Sequence, residues 1–324
     1  MMALPGKYKL FLILAASIAL TAFITWLLAL KPTSGSVIRE QGPESHKAKA
    51  KIPSTGGQAF LATLFLVGFP GALWMQDPNA IIGVATGLLS GLIGFADDML
   101  KLTKHDSSGL KARYKLILQV IVGLLCTGAV YYLMTDDTLT IPFTGTVIRI
   151  GLWKVVLGIL CYMTIINAVN FTDGVDGLAA TTVAIASFCL GGAIWVSGVD
   201  STAVVPVILI GICVGFLPWN WNPAKIFMGD SGSFALSGAL AAIAIASSLE
   251  IVLLIIGLVF LIEIATVVMQ VVYFKLTGGK RIFRMTPIHH AWELRGYSER
   301  KIVLGASVIG IIAGALGWWS AIRI

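Results

Sequence analysis

Long apolar runs alternate along this chain with short polar connections. A helix needs about 20 apolar residues to cross a bilayer. About ten runs approach that length, over 10–30, 57–76, 79–96, 114–134, 152–170, 177–197, 202–218, 233–249, 251–274 and 302–322. The pattern predicts an all-α integral membrane protein with about ten transmembrane helices, built as a single polytopic domain over residues 1–324. The first run follows Lys7 and Lys9. Its length, and the lack of a small-residue cleavage site, predict a retained helix rather than a removed leader. Gly83, Gly87 and Gly91 form a stripe at four-residue spacing in the third run, a pattern that lets two helices pack closely.

Composition agrees. Hydrophobic residues make up 57% of the 324 and charged residues 12%, with a mean hydropathy of +0.90. Soluble domains carry about 25% charged residues, so the bilayer is the solvent this chain requires. The net charge of +7 would point to nucleic acid in a soluble protein. Here it marks basic loops on the inner membrane face, with no nucleic-acid partner. Most of the 23 Lys and Arg residues fall in segments 31–56, 97–115 and 275–301. The alternate connections carry Asp77, Asp136, Asp137, Asp200 and Glu250. The positive-inside rule then places the basic loops in the cytoplasm and both termini outside. Cys126, Cys161, Cys189 and Cys213 sit in apolar stretches without C-x-x-C spacing, which predicts packing residues rather than zinc ligands or disulfides.

Polar residues near the inner ends of the helices carry the candidate chemistry. Residues 94–101 read G-F-A-D-D-M-L-K. Asp97 and Asp98 form a carboxylate pair suited to Mg²⁺ or to a phosphate-binding network, and Lys101 shares their face if the helix continues. Residues 167–177 read N-A-V-N-F-T-D-G-V-D-G. Asn167, Asn170, Asp173 and Asp176 recur every third residue and so share a side. Amides with carboxylates suit a nucleotide base or sugar hydroxyls. Residues 222–233 read N-P-A-K-I-F-M-G-D-S-G-S. There Asp230 can hold a hard cation, while Ser231, Gly232 and Ser233 can offer backbone N–H groups to a phosphate. Residues 284–293 place His289 and His290 among arginines. With no third zinc ligand nearby, the pair suits phosphate oxygens. Lys49, Lys51, Ser54, Gly56 and Gly57 form a weaker anion cradle. Glu263, inside an apolar run, reads as a buried acid bonded to a neighbouring helix. His46 and His105 read as surface residues.

Taken together, F-A-D-D-M-L-K, K-A-R-Y-K-L, N-A-V-N-F-T-D-G-V-D-G-L-A, F-M-G-D-S-G-S and T-P-I-H-H resemble the polyprenyl-phosphate N-acetylhexosamine-1-phosphate transferases. Within that superfamily the sequence is most similar to the bacterial phospho-N-acetylmuramoyl-pentapeptide-transferase family. The resemblance implies a Mg²⁺-dependent enzyme of the bacterial inner membrane, a homodimer of ten-helix subunits with a cytoplasmic active site. Its substrates would be UDP-N-acetylmuramoyl-pentapeptide and undecaprenyl phosphate; its products would be lipid I and UMP, in peptidoglycan synthesis. It makes Asp230 the Mg²⁺ ligand and Asp97 and Asp98 the acidic pair at the reaction centre. Lys101, Lys115, His289 and His290 join them as catalytic residues. Asn167, Asn170, Asp173, Asp176 and Asn220 line the nucleotide site, and Phe227 stacks on uracil with Lys49 nearby. Ser54, Ser233 and Gln270 complete the substrate-binding set. The family usually has a third successive histidine where this chain has Ala291. Two rival readings stand at this point, a sister transferase using UDP-N-acetylglucosamine and a membrane transporter.

Overall fold

The computed structural model describes residues 6–30, 52–104, 109–198 and 200–322. Among them, nine helices are long and apolar enough to cross a membrane. They are α1 (Gly6–Leu30), α2 (Gly57–Met75), α3 (Pro78–Lys104), α4 (Ala112–Leu133), α5 (Trp153–Thr172), α6 (Leu178–Val196), α8 (Gly229–Ala246), α10 (Leu258–Leu276) and α12 (Glu299–Ala321). The tenth expected crossing, α7 (Val204–Asn220), has 17 residues. At 1.5 Å per residue it spans about 26 Å, short of a hydrocarbon core of about 30 Å. The run expected at 251–274 is interrupted at Gly257, which separates α9 (Glu250–Ile256) from α10. A six-residue helix, α11 (Ile288–Glu293), precedes α12.

Two boundaries differ from the hydropathy reading in a way that matters. Helix α3 continues past residue 96 to Lys104, so Asp97, Asp98 and Lys101 ride on a helix rather than a loop. Helix α8 starts at Gly229, which puts Asp230 in its first turn. Hydropathy ends a span at its first charge, whereas the backbone ladder continues while its hydrogen bonds are made. One element departs from the all-helical expectation. Strands β1 (Thr138–Thr140) and β2 (Val147–Arg149) pair antiparallel, with Leu139 opposite Ile148. The hairpin is pinned from outside itself. Thr140 N donates to Ser248 O at 3.0 Å, and the buried Lys154 Nζ donates to Thr138 O at 2.9 Å. The same ammonium lies 2.7 Å from Glu250.

Helix α8 is the axis of the bundle, almost entirely buried. Its sequence, rich in Ala, Gly and Ser, leaves room for neighbours on every side. The glycine stripe of α3 packs against it, the most extensive helix contact in the fold. A Cβ placed on Gly87 would stand 2.8 Å from Ala239 Cβ, and one on Gly91 2.8 Å from Ala235 Cβ. At Gly94 the approach is closest, and a Cβ there would collide with Asp230 O. With no lipid-excluding force to drive helices together, this close packing holds them. It also sets Asp97 and Asp98, one turn on, against the start of α8.

Gly94→Ala is therefore expected to push α8 away from α3. Overpacking of this kind costs about 1–3 kcal/mol, and turnover should fall at least about tenfold, since each 1.4 kcal/mol lost at the reaction centre is a factor of ten. Gly128→Ala, where nothing lies within 4 Å of an added Cβ, should leave both unchanged. Thermal unfolding in detergent and turnover of the two variants check this.

Candidate active site

Three carboxylates meet where the end of α3 touches the start of α8. Asp97, Asp98 and Asp230 each offer an oxygen within 4.8 Å of the others. The close glycine packing brings them there across more than 130 residues of chain. Asp97 is fully buried. Its Oδ1 accepts from Leu110 N at 2.7 Å, which ties down the chain entering α4. Its Oδ2 lies 2.6 Å from Lys101 Nζ and 3.0 Å from Lys115 Nζ. Asp230 Oδ2 faces the same ammonium groups, at 3.1 Å from Lys101 and 2.8 Å from Lys115. Asp230 Oδ1 accepts from Asn170 Nδ2 at 3.0 Å, and that amide also donates to Ser233 Oγ at 2.9 Å. Lys115, which no local spacing singles out, is thus built into the centre by α4.

Asp98 plays a different part. Its two oxygens accept from the backbone N–H groups of Asp230 and Ser231 at 3.2 and 2.9 Å. Gly232 N bonds back to Met228 O. Of the N–H groups expected to meet a phosphate at this helix start, that of Ser231 instead meets a carboxylate from α3 and that of Gly232 a backbone carbonyl. That corrects the sequence reading of Ser231 and Gly232. The reason is that a helix N-terminus takes whichever anion reaches it first, and here the anion is supplied by the fold. Gly229 has a positive φ of +67°, and a side chain there would strike Asp98 Oδ2 and Ser54 Oγ.

Asp173 caps the end of α5 on the same side. Its pKa is pushed up to about 8, first by burial and then by the charges of Asp230, Asp98 and Asp176. Three carboxylates, with the largely neutral Asp173 beside them, thus share a region that two ammonium groups serve among the described residues. Such an excess of acid, with three oxygens within reach of one point, fits a divalent cation.

The other expected site residues divide between this centre and its supports. Asp176 Oδ2 accepts from Asn222 Nδ2 at 3.1 Å and Ala224 N at 2.9 Å, holding the segment that leads into α8. Asn220 is buried; it accepts from Gly177 N and donates to Ile226 O, both at 3.0 Å. Phe227 is half-buried in that segment. Its backbone pairs with Pro53 O and Gly56 N at 2.9 Å, which brings the 53–57 stretch and Ser54 alongside. Asn167 turns away from the carboxylates: it donates to Gln119 Oε1 at 3.0 Å and to Met163 O at 2.8 Å. Gln270 accepts from Ile282 N and Phe283 N, tying α10 to the basic segment after it. His289 is buried against Gly174, and its ring centroid lies 4.2 Å from that of His290. His290 Nδ1 is 2.7 Å from Glu293. Glu263 faces His289, as a buried acid bonded to a neighbouring helix should. Lys49, Lys51, His46 and His105 lie outside the described residues.

Residues 80–248, which carry α3 through α8, match the family described as glycosyl transferase family 4. A phospho-N-acetylmuramoyl-pentapeptide-transferase of Staphylococcus aureus is 38% identical over 294 residues, covering 89% of this chain and 91% of its own. One of Listeria innocua is 40% identical over 306 residues, covering 92% of each. The chain belongs to this transferase family. The match spans every element that builds the carboxylate centre. Family membership therefore concerns the site itself and not only the membrane scaffold around it.

Proposed function

We propose that this chain moves phospho-N-acetylmuramoyl-pentapeptide from its UDP carrier to undecaprenyl phosphate, giving lipid I and UMP for peptidoglycan synthesis in the bacterial inner membrane. The observation that carries the reading is the convergence of Asp97, Asp98 and Asp230 with Lys101 and Lys115 in a chain of this family. A transporter would place its charges on broken helices near the bilayer midplane, whereas here they gather at helix ends.

Phosphoryl transfer asks mainly for positioning and charge stabilisation. A phosphate monoester has a second pKa of about 6, so the lipid phosphate arrives as a nucleophile largely without help. Its oxygen forms a bond to the β-phosphorus as the bond to the UMP oxygen breaks. The obstacle is the repulsion between two anions. Lys101 and Lys115 lie where they can face both, released in part from Asp97 and Asp230. Mg²⁺, held by Asp230 with Asp97 beside it, would neutralise phosphate charge there. Asp98 keeps the start of α8 in register beneath Asp230. Asp97 orients the acceptor phosphate or takes its remaining proton. Asn170 holds Asp230, while Asp173, Asp176 and Phe227 border the space left for the uridine. His289 and His290 lie towards the sugar phosphates.

The centre faces the cytoplasm in this reading, because the basic segments 97–115 and 275–301 flank it. The homodimer and the ten-crossing topology rest on the family resemblance. Cysteine labelling checks the orientation cleanly, since the native cysteines are all buried. Lys280→Cys should react only with reagent on the cytoplasmic side and Thr144→Cys, in the hairpin, only from outside. Labelling of position 280 from outside would overturn the orientation. The donor is tested by supplying UDP-N-acetylmuramoyl-pentapeptide or UDP-N-acetylglucosamine with Mg²⁺ and undecaprenyl phosphate. UMP should follow the first at least about a hundredfold faster, well within the roughly 10⁴-fold discrimination available when site polar groups are left unpaired. Equal rates, or preference for the second, would reassign the enzyme to the sister transferases.

A further inference from the structure

Glu263 sits well inside α10, a helix apolar enough to cross a membrane. An acid there is costly and needs a reason. It is buried, and so is the residue it faces, His289, with about 1% of its surface exposed. Glu263 Oε2 stands 3.1 Å from His289 Nδ1 and 3.5 Å from the His289 backbone N–H, which donates to it. The carboxylate thus bonds the first turn of α11 and faces the ring. An apolar cavity of about 440 Å³ opens beside the pair, walled by Val259, Ile262, Ile288, Trp292 and Ile309. Tyr297 and Lys301 also line it, at its polar edge.

The far side of the ring is the informative one. Neither nitrogen of the buried ring makes an aligned hydrogen bond among the described residues: Nδ1 has the approach of Glu263 Oε2 at 3.1 Å, and Nε2 has no partner at all. It lies against Gly174, so closely that a Cβ there would collide with Nε2. Gly174 follows Asp173, which caps the end of α5. A buried ring nitrogen without a partner is expensive. This one is aimed at the turn that borders the carboxylate centre.

We infer that Glu263 is a positioning residue for the transfer reaction, fixing His289 with its proton on Nδ1 so that Nε2 is turned to Gly174 and the turn that borders the carboxylate centre. This deepens the function proposed above and rests on it. The physics is that of any imidazole whose one nitrogen faces a carboxylate: the proton stays on that side, and the other nitrogen becomes the working atom. The absence of a side chain at residue 174 is what lets the ring come close enough.

A double-mutant cycle distinguishes positioning from plain structural support. Glu263→Gln should lower kcat about 10–100-fold, the usual cost of removing an outer partner that orients a working imidazole. In a His289→Ala background the same change should cost less than twofold, because nothing remains to be oriented. Equal losses in both backgrounds, or wild-type kcat for Glu263→Gln, would overturn the inference. A second measurement needs no variant to fold. In wild-type protein with ¹⁵N-histidine, solid-state NMR should find His289 with Nδ1 protonated. A ring with bare Nδ1 and protonated Nε2 would also overturn it. If the wild type released no UMP from any UDP-sugar, the proposed function would fall while the NMR result still decided the Glu263–His289 pairing.

Discussion

Asp230→Asn should abolish about 99.9% of turnover and leave the fold in place. Asparagine keeps the shape of the side chain, and its Oδ1 can still accept from Asn170 Nδ2, which now lies at 3.0 Å. The backbone N–H of residue 230 keeps its bond to Asp98, so the start of α8 stays seated. What disappears is one negative charge from the group of three. Stabilisation of transition-state charge by a bound metal contributes several kcal/mol, and about 4 kcal/mol is a factor of about a thousand. Lys101 and Lys115 retain Asp97 as a counter-ion, which limits structural fallout. Turnover measured across a Mg²⁺ titration, with thermal unfolding alongside, reads both effects. Near wild-type rates at limiting Mg²⁺ would make Asp230 a helix-end residue and nothing more.

Asp97→Asn should cost about a hundredfold or more and should separate two chemical routes. Asp97 is buried and held by Leu110 N and two ammonium groups. A carboxylate so fully engaged is well placed to orient a phosphate and poorly free to attack one. Under direct attack by the lipid phosphate, the protein never carries the sugar phosphate. Enzyme, Mg²⁺ and donor without lipid should then give no burst of UMP and no label on the protein from β-³²P donor. The residual activity of Asp97→Asn should rise with pH as the acceptor, with a second pKa of about 6, becomes fully ionised. Loss of a true nucleophile would leave essentially no activity at any pH. A stoichiometric UMP burst in lipid-free enzyme, abolished by Asp97→Asn, would establish the two-step route.

The helices were legible because a bilayer imposes a length and a polarity on each crossing. The glycine stripe read correctly as packing, and it proves to be what joins α3 to α8. The carboxylate centre was legible as separate motifs, but its internal division of labour was not. Asp98 and Ser231 are 133 positions apart, and no local pattern announces that one caps the other. Asn167 looked equivalent to Asn170 by spacing. The structure separates them because Gln119 arrives from α4 to take one while Asp230 takes the other. The hairpin at 138–149 escaped the reading because its three-residue strands are too short to show an alternation, and its anchors lie in α5 and before α9. Gly257 was a visible signal for the break before α10 within an otherwise uninterrupted apolar run.

The central claim is that a metal-supported carboxylate and lysine centre joins a sugar phosphate to a lipid phosphate. Its most direct test reconstitutes the full chain in vesicles with undecaprenyl phosphate, UDP-N-acetylmuramoyl-pentapeptide and Mg²⁺, and measures UMP and the extracted lipid together. The two should accumulate in a one-to-one ratio, with the lipid gaining the mass of the donor less that of UMP, and both should stop when the metal is chelated. UMP without a matching lipid pyrophosphate, or product formation untouched by chelation, would contradict it.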